Sequence, residues 1–355
     1  MKAQSHFYAC IMAGGGGERF WPMSRAGTPK HLLKLIADRT LLEETVRRLD
    51  GVVPASNILI LTNESQLSGV RAAIPFLSSA QIVAEPARRD TAPAAALATA
   101  LARSRDPRAV VALLPADHFI KDQPRFASQL LAAFAWADEN PSLLTLAVKP
   151  TNPDPGFGYL ELGEKIPGTT KGDVFRRVKR FVEKPDVATA RRYLRTGRYA
   201  WNAGMFVWRA DVFLAEAESN APELAAFVRD FPAGNPKAYL RARFAALPRL
   251  SVDYAIMEKA GKVATLMARF DWDDVGLWTA LPAHLSSDSS GNSVRGPVVA
   301  VDATGNIAVS NGRVIALCGV RDLVVVETPD AILVCHRDAV QTIKKLHPHL
   351  PKAVL

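Results

Sequence analysis

Four consecutive glycines, two nearby cations and two distant aspartates are the residues of this chain whose types and spacing could do chemistry. The segment Ala13 to Gly17 leaves an apolar run, Phe7 to Met12, that reads as a buried first strand. Backbone N–H groups with no side chains around them can close on an anion, and phosphate is the anion such loops suit. Arg19 and Lys30 follow as fixed charges, on a loop stiffened by Pro22 and Pro29. No Lys-Ser/Thr pair follows the glycines as in a P-loop, and a dinucleotide fingerprint would need glycine at position 19, where Arg stands. The pattern indicates a nucleotide loop of another kind. A plain glycine turn with solvated cations is the alternative.

The aspartates are Asp117, in LLPADHF just past an apolar strand, and Asp274, in FDWDDVGLW. Mg²⁺ on phosphate oxygens takes one or two carboxylates and keeps several waters, so this pair could share one ion. In the second segment Gly276 would permit a tight turn, with Trp272 and Trp278 wedging the loop. Each aspartate could instead be a helix cap or turn residue. His118 reads as a packing residue, since Mg²⁺ prefers oxygen. A site of cations, backbone donors and carboxylates fits nucleotidyl transfer, which needs charge neutralisation and in-line positioning but no covalent nucleophile.

The text GGxGxRxxP followed by PK resembles the sugar-1-phosphate nucleotidylyltransferases, and RFWPMSR with PKHLLKL is similar to their mannose-1-phosphate guanylyltransferase branch. The resemblance implies transfer of GMP from GTP to mannose 1-phosphate, giving GDP-mannose and pyrophosphate with Mg²⁺ on Asp117 and Asp274. It ranks these two above Asp271 and Asp273. In AEPARRDTAPAAALA, Glu85 would accept from guanine N1–H and its amino group, while Arg89 and Thr91 hold the rest of the nucleoside. Asp90 stands where the branch has Asn, and is either a nucleotide contact or the cap of the Ala-rich helix. His31 stands where the branch has Gln. In FVEKP, Lys184 would meet the sugar phosphate and Glu183 the sugar hydroxyls. Alternation along a strand would part these two unless Pro185 ends it and turns the chain. Gly158, with Gly156, lets backbone approach the sugar, and Asn202 offers an amide to its hydroxyls. Two other readings stay open: a related enzyme for another sugar 1-phosphate or nucleoside triphosphate, and a non-catalytic regulatory subunit that binds GDP-mannose.

The elements that must position these residues show in the pattern. From Phe7 to Val148 short apolar runs alternate with helical segments, one opening with a Thr40-x-x-Glu43 capping box. This predicts the α/β class: a mostly parallel, Rossmann-like sheet flanked by helices, with ligands beyond the carboxyl ends of the strands. The glycine loop, Glu85 and Asp117 each follow a strand candidate, so they should meet on one rim. After Pro282 the character changes to closely spaced short strands and turns, a small all-β unit; the resemblance makes it a left-handed β-helix used for packing and association. The predicted division is 1–285, the nucleotidyltransferase catalytic domain, and 286–355, the β unit.

Composition sets further expectations. A net charge of +9 is spread along the chain, and its densest cluster, RRVKR at Arg176 to Arg180, reads as a strand with one solvated face. This favours anionic small substrates over nucleic acid. The start MKAQSH lacks a signal-peptide layout and no run has the length of a membrane span, so the expected setting is the cytoplasm without a membrane partner. The expected assembly is a homodimer. Cys10, Cys318 and Cys335 lie in apolar runs without metal-ligand spacing and read as buried free thiols.

Overall fold

The computed structural model describes residues 4–167 and 172–355; the first three residues of the MKAQSH segment lie outside them. Among the described residues, nine strands form one sheet: β1 (Phe7–Ala13), β2 (Ile58–Asn63), β3 (Ile82–Glu85), β4 (Val110–Pro115), β5 (Leu143–Val148), β6 (Tyr159–Ile166), β7 (Phe175–Val182), β8 (Tyr199–Arg209) and β9 (Val263–Met267). Their order is β3-β2-β1-β4-β8-β5-β9-β7-β6. Strands β3, β2, β1 and β4 run parallel, and so do β5 and β9. Apolar residues fill both faces of β1, β2 and β4, as burial under helices on both sides requires. The difference from a plain βαβ succession is β8. Its YAWNAGMFVWR, buried on both faces, enters antiparallel between β4 and β5 and joins the middle of the chain to the first half.

The helices are α1 (Leu41–Arg47), α2 (Leu67–Ala73), α3 (Thr91–Arg105), α4 (Gln123–Glu139), α5 (Val187–Thr196), α6 (Ala210–Asn220), α7 (Pro222–Arg229) and α8 (Lys237–Arg243). Helix α3 is buried on every side from Ala92 to Ala102, and its alanines let it sit close between the sheet and the helices above. Asp90 caps it, accepting from the Thr91 N–H at 2.8 Å. Thr40 caps α1, accepting from Glu43 N–H at 3.1 Å, but the Glu43 carboxylate turns to Arg47 at 2.9 Å, so only half of the capping box forms.

The tail contains β10 (Ser293–Arg295), β11 (Val298–Val301), β12 (Ile307–Val309), β13 (Ile315–Cys318), β14 (Leu323–Thr328) and β15 (Ala331–His336). Strands β10, β12 and β14 stack in parallel, as do β11 and β13, so successive turns of chain pile into a small β-helix-like unit. Buried Asn292 and Asn306 form its spine: the Asn292 Oδ1 accepts from Asn306 N–H and Nδ2, and Asn306 Oδ1 accepts from Leu323 N–H at 2.9 Å. The cysteines are free, but only Cys10 is buried: Cys335 is half-buried, and Cys318 is exposed because β13 alternates inward Ile315 and Leu317 with outward residues. A mixed core of Phe20, Trp21, Trp278, Ile307, Val324 and Ile343 joins the unit to the sheet domain.

Candidate active site

Three loops leave the carboxyl ends of parallel β1, β3 and β4 on one rim, and the candidate residues gather there. The glycine loop is held open by its carbonyls: Gly17 accepts from Ser24 Oγ at 2.7 Å, Gly14 from Asn63 Nδ2 at 3.4 Å and Gly15 from Gln66 Nε2 at 3.3 Å. With the carbonyls turned back, backbone N–H groups are left for an anion. Gly17 has φ +67°, and a Cβ there would lie 2.4 Å from Lys30 Cβ, so only glycine fits against that lysine.

Lys30 is buried, and its ammonium donates to Asp117 Oδ2 at 2.9 Å and to the Asp274 carbonyl at 2.5 Å. The two aspartate segments are stitched together beside it: Phe119 N–H donates to Asp273 O at 2.8 Å and Asp273 N–H to Phe119 O at 3.1 Å. The turn after them falls on Val275, at φ 46°, whose N–H donates to Asp273 Oδ1 at 2.7 Å. The tight backbone expected at Gly276 is therefore one residue earlier, on a β-branched side chain for which that conformation is strained. Gly276 matters for space, since a Cβ there would sit 3.0 Å from Asp274 Oδ2. Trp272 donates to His118 Nδ1 at 3.1 Å, and Trp278 packs on Phe20.

These residues line a cleft in three compartments. The first, about 490 Å³, is lined by Gly14 to Gly17, Glu85, Arg88, Arg89 and Thr91. A middle compartment of about 370 Å³ shares Gly16, Gly17, Lys30, Arg88 and Asp117 with the first, and adds Arg19 and Asp274. The third, about 1030 Å³, shares Arg19, Asp274 and Gly276 with the middle one and adds Lys184, Trp201 and Trp272. Asp117 and Asp274 thus face the same compartment, between the other two.

Electrostatics differ along the cleft. Burial pushes Glu85 up to about 8, with no cation to offset it. Burial would raise Asp117 too, but Lys30 and its hydrogen bond hold it down to about 2. Burial, together with Asp273 and Asp117 nearby, outweighs Lys30 at Asp274 and raises it to about 6. His31 and His118 are lowered to about 4 by burial, and His31 Nε2 has no hydrogen-bond partner among the described residues. Among the described residues no hydrogen-bond donor reaches the Asp274 carboxylate and no group of three or more His, Cys, Asp or Glu could cage a metal. Two hard carboxylates opening on one space suit an ion that completes its shell with water and phosphate oxygens.

On the rim of the third compartment β7 ends at Val182, and Lys184 at φ 46° turns back so that its ammonium meets Glu183 Oε1 at 2.6 Å. A Cβ on Gly158 would lie 2.6 Å from Glu183 Oε2, so that glycine makes room for the carboxylate. Asn202 sits behind: its Oδ1 accepts from Thr145 Oγ1 at 2.7 Å and Gly204 N–H at 3.2 Å, and its Nδ2 donates to Asp253 at 3.2 Å. Arg89 donates to the Ala245 carbonyl, and Thr91 Oγ1 accepts from Val252 N–H at 2.9 Å, which ties the Asp253 segment to the start of α3. Asp253 and Arg88 line the first compartment, and Gln341 and Lys344 from the tail line the others. None of these four stands out in the sequence. Asp253 opens a π-helical turn, Asp253–Met257, a feature that hydrophobic periodicity does not reveal.

Comparison with known proteins gives a consistent picture. Residues 8–289 match the family model described as nucleotidyl transferase, and residues 296–350 that described as a MannoseP isomerase/GMP-like beta-helix domain. A mannose-1-phosphate guanylyltransferase of Escherichia coli strain K12 is 36% identical over 97% of this chain and 73% of its own length. The xanthan biosynthesis protein XanB of Xanthomonas campestris is 35% identical with the same coverage. The crystal structure of a Thermus thermophilus protein, described as a mannose-1-phosphate geranyltransferase, superposes with a TM-score of 0.88 at 34% identity, covering 97% of this chain and 99% of that one.

Proposed function

The chain belongs to the nucleotidyl transferase family, and from that premise we propose that it is a mannose-1-phosphate guanylyltransferase, making GDP-mannose and pyrophosphate from GTP and mannose 1-phosphate. The observation that carries this is the three-part cleft, whose middle compartment joins the glycine loop, both aspartates and Arg19. GTP lies with its base toward Glu85 and its triphosphate along Gly14 to Gly17. Mannose 1-phosphate lies in the third compartment, with its phosphate toward Lys184 and its hydroxyls toward Glu183. A phosphate oxygen of the sugar phosphate attacks the α-phosphorus; the bond from that phosphorus to the β-bridging oxygen breaks, and its electron pair leaves with pyrophosphate. Arg19 meets the charge that builds there, and Lys30 holds Asp117 and the Asp274 backbone in register.

Asp117 and Asp274 would hold Mg²⁺. When bound, the ion supplies charge neutralisation for the phosphate oxygens. The unpartnered Asp274 carboxylate and the oxygen-only donor set support that placement. Intact Arg19, Lys30, Asp117 and Asp274 in one compartment weigh against a silent GDP-mannose-binding subunit. Measuring pyrophosphate release across nucleoside triphosphates and sugar 1-phosphates tests the substrate pair: GTP with mannose 1-phosphate is expected to be fastest, and a clear win for UTP or dTTP with glucose 1-phosphate would overturn it.

We further place the boundary of catalytic and β units at 285/286. Among the described residues no helix is long and apolar enough to cross a membrane, and we place the enzyme in the cytoplasm with its phosphorylated substrates. Exposed Val299 and Val301 on β11 support a homodimer formed through the β unit. Light scattering at micromolar concentration would report a mass of one chain if that is wrong.

A further inference from the structure

The middle compartment contains a cation from the far end of the chain. Lys344 lies in the helical segment Arg337–His349, yet it lines the same space as Gly16, Gly17, Arg19, Lys30 and Asp274. Gln341, one 3₁₀ turn earlier, lines the adjoining sugar-side compartment. The opposite side of the segment is anchored: Val340 and Ile343 are buried in the core that includes Phe20, Trp21 and Trp278. Lys344 itself is exposed and, among the described residues, makes no ion pair.

The tail is also tied to the loop that carries Arg19. Trp21 Nε1 donates to the Val354 carbonyl at 2.9 Å, Arg25 donates to the same carbonyl at 2.5 Å and to Asp330 at 2.8 Å, and His347 Nε2 lies 3.4 Å from the Glu18 carbonyl. Lys344 is therefore held in place relative to the glycine loop. Its charge is needed there. Glu18, Asp117 and Asp274 line the compartment too, and Lys30 is already committed to Asp117. With that pair set aside, Arg19 and Arg88 share the compartment with Glu18, Asp274 and a multiply charged leaving group.

We propose that Lys344 is a phosphate ligand, supplied by the β unit, for the departing pyrophosphate, so that the tail completes the transfer site. This rests on the nucleotidyl-transfer reading above. As the bond between the α-phosphorus and the bridging oxygen breaks, the electron pair moves to that oxygen and the Lys344 ammonium meets the charge; no proton changes place.

The reverse reaction, GDP-mannose with pyrophosphate, isolates this contact in the full chain with Mg²⁺. Lys344→Ala is expected to raise the KM for pyrophosphate about tenfold or more, as loss of a charge-assisted contact should, and leave that for GDP-mannose within about twofold. Lys344→Arg should recover most of the loss, and Lys345→Ala, an exposed neighbour that does not line the compartment, should match the wild type. Unchanged KM for pyrophosphate in Lys344→Ala, or an equal loss in Lys345→Ala, overturns the proposal. Calorimetric titration with pyrophosphate carries the same comparison without turnover: about tenfold weaker binding in Lys344→Ala supports the contact, and equal binding overturns it. Wild-type inactivity with GDP-mannose would strike the reaction, not Lys344.

Discussion

The two rims of the cleft hold their charges in opposite ways. On the phosphate rim Lys30 is 7% exposed, with Asp117 at 2.9 Å and the Asp274 carbonyl at 2.5 Å. On the sugar rim the order is reversed: the Lys184 side chain is 63% exposed and that of its partner Glu183, at 2.6 Å, only 10%, whereas at the Lys30 pair the open partner is Asp117, at 36%. A buried cation is fixed by the groups packed around it, whereas one whose side chain lies in water can trade partners at little cost. The phosphate rim is thus assembled before ligand arrives. The sugar rim can exchange its internal pair for a ligand phosphate.

Lys30→Ala should break this contrast most visibly. Turnover is expected to fall about 10² or more with loss of a preorganised charge, and stability should fall as well, because Asp117 and the Asp274 carbonyl both lose their shared donor. Urea unfolding beside steady-state kinetics checks both; lost turnover at full stability would remove the structural half of the contrast. Arg19→Ala comes next. Arg19 is exposed and lacks an ion pair among the described residues, so kcat should drop about 10² while the unfolding midpoint stays at the wild-type value. Near wild-type turnover would leave it a solvated cation.

Lys184→Ala sharpens the other side. The KM for mannose 1-phosphate should rise about tenfold, and that for GTP should hold. Loss of GTP affinity with sugar-phosphate affinity intact would reverse the assignment of the rims. A separate effect, on stability and not on turnover, concerns Glu85, a partly buried acid in the first compartment. Burial raises it from 4.5 to about 8, so the folded state keeps a proton that the unfolded chain loses, and this residue makes stability fall as pH rises between those values and level off above them. Glu85→Gln removes that slope, so unfolding curves at about pH 5 and about pH 8 should show it gaining on the wild type at the higher pH. An equal difference at both would contradict the burial of the acid.

How legible these residues were in the sequence depends on the range of the forces that place them. The glycine loop, Glu85 and Asp117 each sit where a β-rich run ends, and the alternation of strands and helices puts such ends on one rim. Asp90 as a helix cap was equally local. The meeting of Asp117 with Asp274 depends on the bridge between Phe119 and Asp273, and no local pattern encodes a pairing across so much chain. Asp253 and Lys344 were missed for the same reason, each reaching the cleft through packing of a distant segment, whereas Arg88 sits beside Arg89 in the AEPARRD stretch, where nothing local separates the two arginines. Cys318 faces outward because strand alternation, not the apolar character of its neighbours, decides its side. The turn at Val275 was hidden because a strained β-branched residue is the last type that turn rules would select.

Transfer of the α-phosphoryl group is tested most directly by tracing labelled phosphorus. GTP labelled at its α-phosphate and GTP labelled at its γ-phosphate, each incubated with mannose 1-phosphate, Mg²⁺ and the full chain, separate nucleotidyl transfer from phosphoryl transfer and from mere binding. The α label should appear in GDP-mannose and the γ label in pyrophosphate. A γ label on the sugar, or no movement of either label while GDP-mannose still binds, would contradict nucleotidyl transfer at this cleft.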